Sequence, residues 1–226
     1  ISPTLDFANS IADNKAAFEQ TARQLGVDPQ KVGSALSAAI AEQEAFRDDL
    51  KVKGQEALTE LRENPREMAM VLFGRPYNSF AGAANKGIPA KYSSRGIRII
   101  PFDMLPFEQE KLEEDHNMYW AMGRMILKAA HLVKKDPQLF GTYISNFSCG
   151  PDSFIISFFR DIMGQKPSLT LELDSHTADA GLETRIEAFL DIIQYYRQFG
   201  LEKSSGKALA KENFSLAVLE KKKGGT

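Results

Sequence analysis

The sequence predicts an α/β protein: a Rossmann-like, three-layer α/β/α domain on a mostly parallel sheet, preceded by an N-terminal helical arm. Three observations carry this. Three short apolar runs, Met68 to Phe73, Ile97 to Phe102 and Thr142 to Ile144, read as strands, and Ser168 to Leu173, where Leu alternates with polar residues, reads as a fourth. Continuously apolar runs of that length are how strands buried on both faces look. Helical patterns separate the runs, and strict β-α alternation implies parallel strands, right-handed crossovers and helices on both faces. Finally, residues 1–65 carry almost no strand signal.

Taken in order, Asp13 or Asn14 is placed to cap a helix through Phe18, Thr21 and Leu25, with Gly26 as its stop. Asp28-Pro29 starts a longer helix with apolar positions at Val32, Leu36, Ile40 and Phe46. It runs on to Asn64-Pro65, where the residue before proline leaves the helical region. This arm reads as a helical hairpin or cap that packs against neighbouring parts of a longer protein. Met68 to Phe73 is the first strand. Residues 79–95 are small, Gly-containing and partly helical, and Ile97 to Phe102 is the second strand. His116 to Lys134 reads as a helix with Met118, Met122, Met125, Ile126, Ala129 and Val133 on one face, closed by Asp136-Pro137. The third strand ends near Ile144 and its helix spans Ser153 to Met163. Ser168 to Leu173 is the fourth strand, and Gly181 to Phe199 is a long amphipathic helix. The expected divisions are therefore a helical hairpin or cap at 1–65, the sheet domain at 66–200, and a polar, Lys-rich tail or linker at 201–226.

Composition narrows the functional classes. The chain has 226 residues, 43% of them hydrophobic and 10% aromatic, enough to bury one large core. A formal net charge of -2 gives no electrostatic case for a nucleic-acid surface. No apolar run approaches the ~20 residues of a membrane span, and no signal peptide is visible. The single cysteine excludes an internal disulfide and fits a reducing, cytoplasmic setting. It also excludes a zinc or iron–sulfur site built from several cysteines of this chain. The chain opens on Ile1 in a stretch that reads as mid-protein, so a fragment of a longer polypeptide is expected.

In a parallel sheet the loops after the strands share one edge, where ligands gather. Those loops are GRPYN (Gly74 to Asn78), PFDMLP (Pro101 to Pro106), NFSCGPD (Asn146 to Asp152) and ELDSHTADAG (Glu172 to Gly181). They bring Arg75, Tyr77, Asp103, Cys149, Asp174, His176 and Asp179 towards one edge. The third loop is the most informative. Gly150 permits a tight turn and Pro151 suits a first helical position. Cys149 therefore belongs at the carboxyl end of a strand beside a helix N-terminus, whose partial positive charge favours a thiolate. Each residue also has a plain structural reading. Arg75-Pro76-Tyr77 makes a turn with a stacked guanidinium, and Asp103 caps a turn. A lone cysteine is a small buried hydrophobe. His176 caps a helix or supports a neighbour. Glu183, Arg185 and Glu187 form a partly solvated face, and His116 and His131 are structural. Walker, GxGxxG and GxSxG signatures are missing.

GRPYN, RGIRIIPFDMLP, YISNFSCGPDSFI and LELDSHTADAGLETRIEAFLD resemble segments of large CoA-enzyme activase-like proteins, over roughly residues 66–195. Those proteins are related to the activators and dehydratase subunits of 2-hydroxyacyl-CoA dehydratases and to double-cubane cluster proteins. The resemblance implies a dehydratase-like domain that works with an actin-like ATPase activator and takes part in ATP-driven electron transfer or acyl-CoA chemistry. It implies an iron–sulfur cluster in the full-length protein, with Cys149 as a ligand and Arg75, Tyr77 and His176 lining the same cleft. One cysteine falls short of the four thiolates such a cluster takes, so the others must come from elsewhere. A structural module, or a nucleotide- or CoA-binding module with phosphates at Gly150 to Ser153 and Arg75, stands as the alternative.

Overall fold

A computed structural model describes residues 1–6, 8, 10–112 and 118–198. The chain divides into two compact units, Ile1–Lys53 and Gly54–Thr226. In the first, Ser10 caps a short 3-10 turn, Ile11–Asn14, through a reciprocal pair with Asp13. That turn runs into α1, Lys15–Gln24. Asn14 stands at the N-cap position of α1 but its side chain makes no capping hydrogen bond; the side-chain cap comes one turn earlier, from Ser10 with Asp13. Asn14 instead pins the preceding segment: its Oδ1 accepts from the Asp6 amide at 2.6 Å and its Nδ2 donates to the Asp6 carbonyl at 2.7 Å. Gly26 follows with φ +70°. Asp28 accepts from the Gln30 amide and opens the turn Pro29–Lys31, which leads into α2, Val32–Glu63.

The second unit carries a four-stranded, all-parallel sheet in the order β2-β1-β3-β4. Its elements are β1 (Ala69–Phe73), α3 (Pro76–Ser79), α4 (Ile88–Ser93), β2 (Arg98–Pro101), α5 (Ala121–Lys135), β3 (Leu139–Asn146), α6 (Gly150–Met163), β4 (Ser168–Leu173) and α7 (179–198). The expected three-layer architecture is therefore present. Side chains alternate strictly across β1: Ala69, Val71 and Phe73 face one core, Met70 and Leu72 the other. The first core is closed by Leu58 and Leu61 of α2 together with α5 and α6. The second is closed by Ile88 and Tyr92 of α4 and by Leu182, Ile186 and Ile193 of α7. All five β1 side chains are buried, each worth about 1.5–3 kcal/mol for the larger apolar ones.

Two differences from the sequence reading have local causes. α5 begins at Ala121 rather than at His116, because Trp120 takes an extended backbone (φ -75°, ψ 120°). Met118 still joins the core, packed on Gly123. His116 lies outside the described residues, as does the tail 201–226. β3 is eight residues long where Thr142 to Ile144 was expected, and it extends from Leu139 to Asn146 because β1 and β4 pair with it along both edges. Gly141 within it makes room for aromatic packing: a Cβ there would stand 3.1 Å from both Phe73 and Phe159, whose rings pack at 5.0 Å.

Ionic contacts join α7 to α4. Lys91 Nζ donates to Glu183 at 2.8 Å, and Arg95 reaches both Glu183 and Glu187 at 2.5 Å. Glu183 and Glu187 thus latch two helices on one face of the sheet. The hydrogen bond from Lys91, followed by that from Arg95, holds the Glu183 carboxyl below its ordinary range.

Candidate functional site

The strand order places a topological switch between β1 and β3. The chain leaves β1 towards β2 on one side, whereas β3 leads to β4 on the other, and it is at such a switch point that open parallel sheets form their ligand crevice. Arg75 stands in the first loop and Cys149 in the second.

The β1 loop is tightly built. Gly74 has φ +131°, and a Cβ on it would lie 2.1 Å from Ser79 Oγ and 2.3 Å from the Ile144 carbonyl. Only glycine fits there. Ser79 Oγ donates to the carbonyl of Phe73 at 3.0 Å and reaches that of Ile144 at 3.4 Å, tying the ends of β1 and β3. Arg75 is extended, as a residue before proline should be, and Pro76 opens α3. In the β3 loop Ser148 adopts φ +58°, and Cys149 is the N-cap of α6, its sulfur 3.5 Å from the Asp152 amide.

Asp152 is the hub. Its side chain is fully buried and accepts from Ser145 Oγ at 2.9 Å and from the Tyr143 hydroxyl at 3.2 Å. Arg75 Nη2 donates to Cys149 Sγ at 2.6 Å and to Asp152 Oδ2 at 3.3 Å. Arg75 Nε lies 3.2 Å from Asp152 Oδ1, close enough for ion pairing but not aligned for a hydrogen bond. The guanidinium carbon sits 4.7 Å from the centroid of the Tyr77 ring. Burial, then the neighbouring Asp152 charge, pushes the Tyr143 hydroxyl far above its ordinary range, so it remains a donor to the carboxylate.

Arg75, Tyr77 and Cys149 therefore meet. His176 does not join their contacts: it is exposed on the loop after β4, where its backbone amide donates to Asp174 Oδ1 at 2.9 Å. Asp174 organises that loop. The Thr177 hydroxyl, followed by the backbone amides, holds its carboxyl below the ordinary range. Lys86 anchors the loop through the Thr177 carbonyl. Asp103 lies within a 3-10 turn, Phe102–Met104, whose N-cap is Pro101.

Asp152 is the functional side chain that the reading from sequence passed over. Its signal was periodicity: Asp152, Ile155, Ile156 and Phe159 share one helical face, so the pattern buries a carboxylate among apolar side chains. A buried carboxylate requires a partner, and Arg75 is the cation that the switch point supplies. Asn78 was passed over as well. It is 3% exposed, accepts from Asn146 Nδ2 at 2.9 Å, and its own Nδ2 has no hydrogen-bond partner among the described residues. Around this centre Tyr77, Phe147 and Phe154 are exposed aromatic side chains.

Chemically, the crevice offers one half-buried thiol with a guanidinium N–H directed at it. Asp152 is sealed and spent on three hydrogen-bond donors, Ser145, Tyr143 and Arg75, so it positions Arg75 and does not face solvent as a base. Among the described residues no three His, Cys, Asp or Glu side chains gather as a metal-binding group. The residues present do not fit a complete cluster site. No described helix is long and apolar enough to cross a membrane.

Fold and loop contacts together define a parallel α/β protein with Arg75 and Cys149 in contact at a β1/β3 switch point. Residues 1–105 match a family model described as the CoA enzyme activase uncharacterised domain, consistent with a CoA-enzyme activase-like protein. That match takes in both N-terminal helices, β1, the Arg75 loop and β2. No curated protein and no solved structure matches the chain.

Proposed function

We propose that this domain contributes Cys149 and one wall to a shared iron–sulfur electron-transfer site in an activase/2-hydroxyacyl-CoA dehydratase-like protein. The observation that carries the reading is the pairing of a half-exposed thiol with Arg75 at the switch point, held by the buried Asp152. Thiolates hold such clusters, and N–H donors beside their sulfurs tune the potential. The remaining thiolates come from outside these 226 residues, since the chain has one cysteine. The working partners are neighbouring domains, an actin-like ATPase activator and an acyl-CoA substrate, in the cytoplasm. Arg75 and Tyr77 stay in place as the crevice wall, and His176 borders it from the β4 loop.

The test is anaerobic alkylation of the protein with its flanking sequence, read by peptide mass. Iron reconstitution should protect Cys149, and a chelator should restore labelling. Equal labelling in both states overturns the reading. A second reading, a small-ligand crevice with no cluster, draws on the unpartnered Nδ2 of Asn78 and the three exposed aromatic side chains. Melting raised by CoA or ATP without iron, and independent of Cys149, favours it.

A further inference from the structure

The opposite edge of the sheet holds a cavity of about 1110 Å³. Of the residues that line it, Met68, Ile97 and Gln138 directly precede β1, β2 and β3, and Lys166 stands two residues before β4. The cavity is thus at the N-terminal edge, away from Cys149. Five cationic side chains line it, Arg66, Lys134, Lys135, Lys166 and Arg197, against one acidic side chain, Glu67.

Two of these residues build the frame. Arg197 donates to the carbonyls of Pro65, Arg66 and Glu67 at 2.9–3.2 Å. Gln138 Nε2 donates to those of Leu61, Asn64 and Glu67 at 2.8–3.2 Å. The wall at 64–67 is therefore strapped in place before any ligand arrives. Lys135 is engaged with Glu110 at 2.6 Å. The other cations are not balanced in this way. Lys166 is 6% exposed, donates to the carbonyls of Val133 and Asp136, and lies over the Phe140 ring at 4.9 Å. Among the described residues no carboxylate lies within ion-pairing distance of Lys166, Arg66 or Lys134. A buried ammonium held only by neutral groups carries a desolvation penalty that an anion would offset. Consistent with that, burial pulls the Lys166 ammonium down to about 8, with Asp136 opposing weakly. Pro65, Met68, Ile97, Pro137 and the half-exposed Tyr196 supply apolar and aromatic walls.

We propose that this cavity is a second ligand site, taking a nucleoside diphosphate or triphosphate with its phosphates among Arg66, Lys134 and Lys166 and its base against the apolar wall near Tyr196. Cation excess selects a polyanion, and the volume exceeds what inorganic phosphate needs. The site acts independently of Cys149.

The test is calorimetric titration of the whole chain with ADP and with pyrophosphate, at constant low ionic strength. ADP should bind saturably, with Kd on the order of 100 μM, and more tightly than pyrophosphate. Arg66→Glu with Lys134→Glu, both at exposed positions, should weaken ADP by about tenfold or more, and Lys134→Gln alone by about threefold. Cys149→Ser should leave binding unchanged. Absence of saturation, binding indifferent to these charge changes, or loss in Cys149→Ser overturns the assignment. Pyrophosphate binding as tightly as ADP overturns its nucleoside part.

Discussion

Asp152 and Arg75 form the most consequential ion pair of the sheet domain, and a double-mutant cycle measures it. Asp152 is fully buried and Arg75 is 15% exposed, so solvent screens neither well. Replacing Asp152 with Asn keeps the volume and removes the charge. Arg75 then has no carboxylate partner, and the Ser145 and Tyr143 hydroxyls lose a charged acceptor. Removing one member of a buried pair costs about 3–5 kcal/mol. The remaining access of Arg75 to water puts Asp152→Asn at the lower end, about 3 kcal/mol. Arg75→Met strands the carboxylate with two hydroxyls for partners and should cost about the same. If the two act as a unit, the double variant loses about 4 kcal/mol, not 6, for a coupling near 2 kcal/mol. The assay is urea unfolding at pH 7 followed by the fluorescence of Trp120, the single tryptophan, which packs on the first core. With a slope of about 1.5 kcal/mol per molar, each single change should move the midpoint by about 2 M. Single losses that add to within ~0.5 kcal/mol would refute the claim that Asp152 is there to hold Arg75.

Other consequences follow from particular contacts. Gly74→Ala drives a Cβ to within 2.1 Å of Ser79 Oγ at a φ of +131° and should destabilise by about 3 kcal/mol or more, read in the same unfolding assay. Gly141→Ala, at 3.1 Å from two ring edges, forces a smaller adjustment of about 1–2 kcal/mol and should disturb near-ultraviolet aromatic dichroism. Lys166 binds its proton less tightly folded than unfolded, so stability should rise with pH. Between pH 7.5 and 9.5 the wild type should gain about 2 kcal/mol relative to Lys166→Met, from a folded value of about 8 against the ordinary 10.5. Parallel pH profiles for the two proteins would contradict that. Glu183 has the opposite sign. Its stabilising bonds to Lys91 and Arg95 are complete above its ordinary range and are lost as pH falls through its depressed value. Lower protection of α7 amides against exchange on acidification, relative to their intrinsic rates and abolished by Glu183→Gln, is the check.

What was legible in the sequence follows from which signals are local. Ser168 to Leu173 coincides with β4 because a run in which Leu alternates with polar residues, bounded by Pro167 and Asp174, has no competing reading. The order of strands and helices was legible for the same reason. β3 was not legible at its true length, since Leu139, Phe140 and Gly141 become strand only by pairing with β1. The start of α5 depended on the extended backbone of Trp120, for which residues 116–120 carry no breaker. At the crevice, the contact between Arg75 and Cys149 bridges 74 positions of sequence and was accessible only as shared placement at a strand edge. Asp152 was hidden by its neighbours: within CGPD it resembles an ordinary first-turn acid, and its burial shows only in the helical phase. His176 was grouped with the others by loop order alone, and the Asp174 turn fixes it at the surface of its own loop.

The measurement that bears most directly on the central claim is iron content and visible absorption of the anaerobically purified protein with its flanking sequence, with and without Cys149→Ser. If Cys149 supplies a ligand at the switch point, the wild type carries iron and the variant loses iron or shows a changed spectrum. Iron that is absent from the wild type, or identical in amount and spectrum in the variant, would contradict the account and leave Cys149 as a packing residue beside Arg75.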